Sequence, residues 1–494
     1  MENRYWKSPD ELEAPLTGPT PESGGELPAG MSRREFLRLM GASLVMASAA
    51  ACTRRPVEKI VPYLNKPEEI TPGVANWYAT TCGECPAACG VLAKTREGRP
   101  IKLEGNPEHP MNKGGLCARG QASLLNLYDP DRLQNPLRSN GAGASATWET
   151  VDWKKVDVML TGNLDAIRKG TGSLRLLTGQ VVSPSARKLI DQFVQSFPNA
   201  KHIVYEPLSL SSLIEGQKES YGQGVVPSYH FDRAELVLSF GADFLDTWIS
   251  PVAFAKQFSS ARKLENGKMS RLVVIEPATS LTGSNADLHL PVAPGHELKI
   301  ALALAHELSG NESLAAYSIA KTAQATGIDE KVLQDLAKEL AQHKGSSLVL
   351  GGSASLQGAE GLALHIAVNY LNAILGNDGR TVDAFVAPST QTESSAQELL
   401  TLIDEMEQGK VSHLILWNTN PVYTLPASIG FAKALQKVEQ VIAIRDRLDE
   451  TASLAHWVLP ESHYLESWGD AEPQKGLTSL RQPAIRPLYE SRSF

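Results

Sequence analysis

The hydrophobic and polar positions of the chain follow two alternating patterns from about residue 170 onward. Short apolar runs such as "SLRLLTG" (173–179) and "RLVVIE" (271–276) have the length of buried strands. Longer segments such as "ARKLIDQFVQSF" (186–197) and "HELKIALALAHEL" (296–308) repeat their apolar residues with the 3.6-residue period of a helix. Strands that alternate with helices predict an α/β fold with mostly parallel, doubly wound sheets.

Three polar loops follow predicted strands of this region, namely "FGADF" (240–244), "IEPATS" (275–280) and "WNTNP" (417–421). In open parallel sheets, ligands bind in the crevice beyond the carboxyl ends of the strands. We therefore expect these loops to contribute to a ligand site.

Composition limits the classes of function. At roughly 100–200 residues per domain, the 494 residues predict two to four domains. Hydrophobic residues make up 42% and charged residues 21% of the chain, which is ordinary for a soluble α/β protein. The net charge of −8 gives no reason to expect a nucleic-acid partner. No apolar run reaches the roughly 20 residues that span a bilayer.

The amino-terminal part is typical of an exported protein. Residues 1–30 are acidic and rich in Pro, Gly and Glu, so we expect them to be disordered. Residues 31–52 place Arg33 and Arg34 before a modest apolar stretch, as in a twin-arginine export signal. Cys52 leaves three alternatives open, which are lipid modification, plain cleavage and an uncleaved anchor. Because the twin-arginine route carries folded proteins, it favours a metal centre over disulfides for the remaining cysteines.

Four of the five cysteines lie within 36 positions, at Cys82, Cys85, Cys89 and Cys117. The first three share one tight loop that can wrap three corners of an iron–sulfur cubane, and the distant fourth can close the last corner. Thiolates are soft ligands suited to such clusters. Structural zinc prefers two paired C-x2-C motifs, and here the second half is a lone cysteine. The spacing therefore favours a [4Fe–4S] cluster, with zinc or disulfides as the alternatives.

Two short strands are predicted between these cysteines, from Val91 to Lys94 and from Pro100 to Glu104, around the turn "REGR". The cysteines therefore belong to a small β-rich cap. Arg119 lies two residues after the fourth cysteine, where its positive charge would raise the reduction potential of a nearby cluster. The alternative is that Arg119 is an ordinary surface arginine.

The cysteine set C-x2-C-x3-C-x27-C and the following "CARGQASLLNLYDPDRLQNPL" resemble the molybdopterin oxidoreductase superfamily, which includes formate dehydrogenases, nitrate reductases and polysulfide reductases. The resemblance extends from about residue 77 to the end of the sequence. It implies a [4Fe–4S] cluster beside a bis-molybdopterin guanine dinucleotide. It also implies that Arg119 is the basic residue that lies between cluster and pterin.

The resemblance divides the chain into domains. A [4Fe–4S] domain is expected at 76–138, a discontinuous α/β domain at 148–212 and 344–494, and a second, dinucleotide-binding-like α/β domain at 213–343. The β-barrel domain that completes the superfamily fold is not expected within the sequence, which stops at "YESRSF".

Residues that would contact a pterin dinucleotide follow from the same resemblance. They are Arg119, Gly241, Glu276, Pro277, Thr279, Asp287, Pro294, Gly295, Asn420 and Pro421. Two departures argue against a molybdenum cofactor, because Ala278 and Ala293 stand where the superfamily has arginines that pair with phosphates. The metal ligand is expected in "YEPLSLSSLIEG" (205–216), which contains no cysteine. Ser209, Ser211 and Ser212 are the candidates there, although a serine-rich loop is usually only a loop.

One subgroup of this superfamily resembles the sequence more closely than the superfamily as a whole does. The segments "EKIVPY" and "YLESWGDA" resemble the iron–sulfur subunit of alternative complex III, a quinol:electron-acceptor oxidoreductase. This resemblance implies an electron-transfer subunit of a membrane-associated complex on the periplasmic side. Its expected partners are an integral quinol-binding subunit and ferredoxin-like and cytochrome c subunits. The alternatives are a catalytic molybdenum or tungsten oxidoreductase and a non-redox scaffold.

Other polar residues carry weaker signals. His296, His456 and His463 are expected to be hydrogen-bonded or partly exposed rather than redox groups. The acidic residues Glu461, Glu466 and Asp470 are expected to form a solvated face. The sequence contains no nucleophile-elbow pattern and no phosphate-binding P-loop.

Overall fold

The computed structural model describes residues 70–141, 147–170, 172–264, 267, 269–352, 356–383 and 392–494. The predictions made for residues 1–69 lie outside the described residues. They concern the disordered segment 1–30, the twin-arginine signal 31–52 with Arg33 and Arg34, and Cys52. Within the described residues, no helix has both the length and the apolar character needed to cross a membrane.

The described residues form strands whose bounds are, in chain order, β1 Asn76–Thr81, β2 Gly90–Arg96, β3 Arg99–Gly105, β4 Leu137–Ser139, β5 Trp148–Thr150, β6 Leu174–Thr178, β7 Ala200–Val204, β8 Ser228–Tyr229, β9 Leu236–Phe240, β10 Arg271–Glu276, β11 Leu288–Pro291, β12 Ser347–Gly351, β13 Val382–Asp383, β14 His413–Trp417, β15 Gln440–Arg445, β16 Trp457–Pro460, β17 Gly469–Gln474 and β18 Leu477–Arg481.

The α-helices are α1 Ala118–Leu127, α2 Trp153–Arg168, α3 Pro184–Gln195, α4 Ser211–Tyr221, α5 Pro251–Ala261, α6 Leu281–Ser284, α7 His296–Ser309, α8 Ile319–Thr326, α9 Glu330–Gln342, α10 Gly358–Leu375, α11 Ala396–Glu407, α12 Pro421–Thr424 and α13 Phe431–Leu435. Short 3-10 helices lie at Phe231–Arg233, Glu312–Tyr317, Ala427–Ile429 and Ala452–Leu454.

The larger sheet has seven strands in the order β5-β4-β16-β15-β14-β6-β7. Strands β7, β6, β14, β15 and β16 are parallel, and β4 and β5 extend the sheet with antiparallel pairing. From β6 the chain passes outward to β7 and later returns to the other side of β6 through β14. The strand order therefore reverses between β6 and β14, which is where ligands bind in doubly wound folds.

The smaller sheet has four parallel strands in the order β11-β10-β9-β12. Its strands are buried because helices cover them; α10, for example, packs against β12, α4 and α7. The predicted boundary between residues 343 and 344 is too early, since β12 pairs with β9 and stays in this second sheet. A fully buried strand such as "SLVLG" can join either sheet, and its local pattern does not reveal the partner.

The β-rich cap is an antiparallel meander of β1, β2 and β3 followed by α1. It contains both predicted strands, and they meet at a turn where Glu97 and Gly98 have φ angles of 45° and 79°. Strand β4 belongs to the seven-stranded sheet, so the last residues of the predicted cap domain, 137 and 138, lie in that sheet. The β17–β18 hairpin lies against β1, where the Thr81 hydroxyl donates to the carbonyl oxygen of Leu480.

Candidate functional site

The first three cysteines lie on the loop that joins β1 to β2. The backbone N–H of Cys82 donates to the carbonyl of Cys89 at 2.8 Å, and that of Ala88 donates to the carbonyl of Cys85 at 3.2 Å. Ala88 adopts a left-handed conformation with a φ of 44°, which a non-glycine residue enters only in a tight turn. The loop is therefore closed upon itself and presents its thiols together.

The fourth cysteine, Cys117, caps the amino end of α1, where its sulfur accepts the N–H of Gly120 at 3.4 Å. Cys85 and Cys89 both experience the charge of Cys117, and Cys82 experiences the charges of Cys85 and Cys89. The four thiols thus form one electrostatically coupled group. None of these four cysteines forms a disulfide.

Close packing and hydrogen bonds hold the cysteine loop in place. A β-carbon on Gly83 would lie 2.8 Å from the β-carbon of Tyr464, so only glycine allows the Tyr464 ring to cover the loop. The buried amide of Asn112 accepts the Gly90 N–H at 3.0 Å and donates to the carbonyls of Gly90 at 2.8 Å and Gly115 at 2.7 Å. Asn112 therefore ties the loop to the segment that leads to Cys117.

Cys82 and Cys89 are buried, and Cys85 and Cys117 are half-buried. Burial raises the pKa of Cys82 and Cys85, and it raises the pKa of Cys89 to about 12. Bound metal stabilises thiolates that would otherwise stay protonated. Within the described ranges, no three His, Cys, Asp or Glu side chains converge on the position of a single metal ion. In a cubane, by contrast, each thiolate binds a different iron.

A cavity of about 670 Å³ adjoins the cysteine loop. Gly83, Cys85 and Ala88 contribute to one wall. The rest includes the loops after β6, β7, β14, β15 and β16, which we call the seven-stranded edge (179–183, 205–207, 417–420, 445–447 and 461–464). The cavity therefore includes the point where the strand order reverses.

Buried donors face this cavity without a partner among the described residues. They are Gln180 Nε2, Arg445 Nε, His463 Nε2 and Arg481 Nε. Burial lowers the pKa of His463 to about 4, so its ring is neutral near pH 7. Its Nδ1 accepts the Leu465 N–H at 3.2 Å, which leaves the ring proton on Nε2. The seven-stranded edge thus offers donor hydrogens to a ligand rich in acceptors.

Charged residues connect the cysteines to the cavity. The positive charge of Arg119 acts on both Cys85 and Glu206, and all three residues line the cavity. Burial raises the pKa of Glu206 and of Glu461 to about 7. The Glu461 carboxylate accepts the indole N–H of Trp417 at 3.0 Å.

The structure separates the residues predicted to contact a pterin dinucleotide. Arg119 and Asn420 line the cavity, and Pro421 begins α12 directly after Asn420. Seven do not line the cavity and lie in the four-stranded domain. These are Gly241, Glu276, Pro277, Thr279, Asp287, Pro294 and Gly295.

The loops after β9, β10 and β11 (241–250, 277–280 and 292–295) form what we call the four-stranded edge. The buried Glu276 carboxylate accepts the Ser280 N–H at 2.8 Å and contacts His289 Nε2 at 3.1 Å. Asp287 pairs with Arg262 at 2.7 Å and accepts the Leu272 N–H at 2.8 Å. Both carboxylates therefore hold the fold together instead of facing a ligand.

The remaining residues of that set have backbone or surface roles. Gly241 and Gly295 have positive φ angles of 68° and 89°, and Gly295 precedes α7. Thr279 and Pro294 are exposed, and Pro277 is half-buried. Ala278 and Ala293 are also exposed.

The serine candidates do not reach the cavity. The Ser209 hydroxyl donates to that of Ser211 at 2.8 Å, and Ser212 is buried in the first turn of α4. Glu206, from the same segment, lines the cavity instead.

The acidic residues near the end of the chain do not form the predicted solvated face. Glu466 is buried in an ion pair with Arg132, with 2.7 Å between Oε2 and Nη2. Glu461 and Asp470 line the cavity. Of the three histidines, His463 faces the cavity, whereas His456 Nδ1 accepts the Val441 N–H at 2.9 Å and His296 begins α7.

Comparison with known families gives two matches. The molybdopterin oxidoreductase family matches residues 132–493, and the molybdopterin oxidoreductase Fe4S4 domain matches residues 75–129. The second match contains all four cysteines of the loop and of the α1 cap.

Two curated proteins resemble nearly the whole chain. The molybdopterin-binding-like subunit of menaquinone reductase from Nitratidesulfovibrio vulgaris is 28% identical, with 94% of this chain and 70% of that protein covered. The molybdopterin-containing subunit of arsenate respiratory reductase from a Shewanella species is 23% identical, with 94% of this chain and 64% of that protein covered.

A solved structure shares the fold. Acetylene hydratase from Pelobacter acetylenicus superimposes with a TM-score of 0.67 at 17% identity, over 84% of this chain and 67% of that one. At this identity, the likeness bears on the arrangement of the sheets alone.

Proposed function

The chain belongs to the molybdopterin oxidoreductase family, and on this premise we propose that it is an iron–sulfur electron-transfer subunit of a quinol-oxidising respiratory complex. The matched Fe4S4 domain supports a [4Fe–4S] cluster as its cofactor. Cys82, Cys85, Cys89 and Cys117 are the proposed ligands. The observation that carries the proposal is the closed loop that holds three of these cysteines, with Cys117 acting on Cys85 and Cys89 and Arg119 acting on Cys85.

The contrast between the two sheet edges supports electron transfer over molybdenum catalysis. A bis-molybdopterin cofactor carries two dinucleotides, and the family matches are compatible with it. The seven-stranded edge fits an acceptor-rich group of this kind. The four-stranded edge does not, because Glu276 fills its turn and no arginine stands at residues 278 and 293. We therefore derive no reaction step through molybdenum.

Catalysis by a molybdenum or tungsten cofactor is the second candidate. It is favoured by four donor atoms without a partner among the described residues, Gln180 Nε2, Arg445 Nε, His463 Nε2 and Arg481 Nε, which suit phosphate and pterin acceptors. This candidate predicts molybdenum or tungsten with extractable pterin in the purified protein, whereas the electron-transfer proposal predicts neither.

The location and partners of the chain are part of the proposal. The twin-arginine pattern at 31–52 supports export, and we place the mature protein on the periplasmic face of the membrane. An integral quinol-binding subunit would deliver electrons, and ferredoxin-like or cytochrome c subunits would accept them. The menaquinone reductase relative supports a quinone-linked role, although its name indicates the opposite direction of electron flow.

Replacement of a proposed ligand tests this function. Cys85→Ser, purified anaerobically, should lose most of its iron and its iron–sulfur absorbance while the circular dichroism of the α/β domains is retained. The matched control is Cys52→Ser at the fifth cysteine, which should keep both iron and absorbance. Retention of the full absorbance by Cys85→Ser would contradict the assignment.

A further inference from the structure

Two half-buried glutamates line the cavity at the outermost parallel strands of the seven-stranded sheet. Glu206 follows β7 and Glu461 follows β16. Each is linked to a proposed cluster ligand through one arginine. Arg119 acts on both Glu206 and Cys85, and the interactions of Arg481 include Glu461 and Cys82. The same arrangement therefore occurs at both sides of the cavity.

Glu206 lies among groups of both signs. Its environment contains the carboxylate of Glu393, the guanidinium of Arg119, the backbone N–H of Leu208 and the neighbouring Tyr205. Burial and Glu393 together raise the pKa of Glu206 to about 7, against the opposing effects of Arg119 and the Leu208 N–H. Its charge therefore changes within the physiological pH range.

Glu461 has a comparable environment. It faces Asp446, Arg445 and Arg481, and it accepts the indole N–H of Trp417 at 3.0 Å. Phe494 stacks on the Trp417 ring with 3.6 Å between their centroids. Burial is the largest influence and raises the pKa of Glu461 to about 7 despite the two arginines.

The cavity can supply protons to both carboxyl groups. A liquid water molecule occupies about 30 Å³, so about 670 Å³ has room for roughly 20 water molecules. The cavity extends from the cysteine loop to both glutamates, and it includes the hydroxyl-bearing or acidic residues Ser183, Ser462 and Asp470. Water in this space would connect the carboxyl groups to each other.

We propose that Glu206 and Glu461 bind protons when the adjacent cluster gains an electron, so that this cavity couples electron transfer to proton transfer. The inference rests on the proposed function, which provides the cluster and, through a quinol, the electron. An electron on the cluster would increase the negative charge near Arg119 and Arg481. The carboxylate of Glu206 or Glu461 would then take up one proton from bulk solvent, relayed by water in the cavity, and would return it to solvent after the electron has left.

The expected pH dependence follows from the sign of this interaction. Added negative charge raises the proton affinity of a carboxylate, so the reduced protein binds more protons than the oxidised protein. The reduction potential should therefore fall as pH rises above about 7, the pKa of both groups before reduction. A one-electron step coupled to one proton has a limiting slope of about 59 mV per pH unit, which corresponds to a tenfold change in proton concentration.

Redox titration of the intact, cluster-loaded protein between about pH 6 and pH 9 tests the inference. The wild type should show a sloping potential, Glu206→Gln and Glu461→Gln should each reduce the slope, and the double variant should flatten it. Glu206→Asp should restore the slope, and the exposed Glu307→Gln is the matched control that should leave it unchanged. Reduction should also change the infrared carboxylic-acid band of the wild type but not of the double variant.

Two results would overturn the inference while leaving the proposed function intact. One is a wild-type cluster that titrates reversibly with a potential independent of pH. The other is a slope that persists unchanged in the double variant. Purified protein without any cluster would instead contradict the proposed function itself.

Discussion

The carboxyl edges of the two parallel sheets have the same backbone geometry but different side-chain chemistry. At the seven-stranded edge, donors such as His463 Nε2 and Arg481 Nε remain unpartnered and face a cavity beside the cysteine loop. At the four-stranded edge, the Glu276 carboxylate is engaged by its own neighbours, the Ser280 N–H and His289. The two edges therefore differ in what they can bind, although the fold is common to both.

This difference shows that family membership does not transfer a cofactor site as a whole. A fold presents the ends of its strands, but specific side chains determine whether a ligand binds there. In this chain, the cysteine loop and the seven-stranded edge border one cavity with unpartnered donor atoms. The four-stranded edge has Ala278 and Ala293 at the positions where the family resemblance implies arginines.

The largest expected effect comes from breaking the ion pair that anchors the seven-stranded edge. Glu466 pairs with Arg132 and also accepts the backbone N–H groups of His463 at 2.8 Å and Leu488 at 2.9 Å. Glu466→Gln leaves a buried arginine without its counter-charge, which should lower the free energy of unfolding by about 3–5 kcal/mol. Urea unfolding measures this change.

The matched control for that prediction is Asp157→Asn, because Asp157 forms an exposed ion pair with Arg492. Exposed pairs contribute little, so the unfolding midpoint should stay near that of the wild type. Equal losses in the two variants would show that the Arg132–Glu466 pair has no special role at this edge.

The second effect is a pH dependence of stability. The pKa of Glu461 is about 7 in the folded protein and near 4.5 when the group is unperturbed. The stability contributed by its protonated form is therefore fully present below about pH 4.5 and is lost as pH rises through 7. Relative to Glu461→Gln, the wild type should lose on the order of 2–3 kcal/mol of unfolding free energy between pH 5 and pH 8. A constant difference across this range would contradict the raised pKa of Glu461.

The smallest effect distinguishes the cysteine loop from the four-stranded edge. A β-carbon on Gly283 would lie 1.9 Å from Glu276 Oε1, and one on Gly83 would lie 2.8 Å from the Tyr464 β-carbon. Each alanine substitution should cost about 1–3 kcal/mol of unfolding free energy through overpacking. Only Gly83→Ala should also lower the iron content, because only Gly83 lies in the cysteine loop. Loss of iron in Gly283→Ala would show that the four-stranded edge contributes to the cluster.

Much of the fold could be predicted from local patterns. The strands at 174–178 and 271–276 and the helix at 296–309 appear in the sequence as apolar runs or as a 3.6-residue period, and the structure confirms them. The tight loop of Cys82, Cys85 and Cys89 was likewise visible from spacing alone. These features depend on residues close together in the chain.

The rest depends on contacts between distant segments. Local pattern could not assign β12 to its sheet, since its partner β9 lies more than 100 positions earlier. Nor could it show that Glu466 would be buried against Arg132, or that Gln180 and Arg481 would face the same cavity. Charged residues in a polar loop predict exposure until a partner is known, and here the partner lies 334 positions away.

The most direct test of the central claim is the metal content of the intact chain purified without oxygen. The account predicts about four irons and four sulfides per chain, with neither molybdenum nor tungsten above background. Protein that contains no iron, or that contains zinc or disulfides at the four cysteines, would contradict the claim that these thiols hold an electron-carrying cluster.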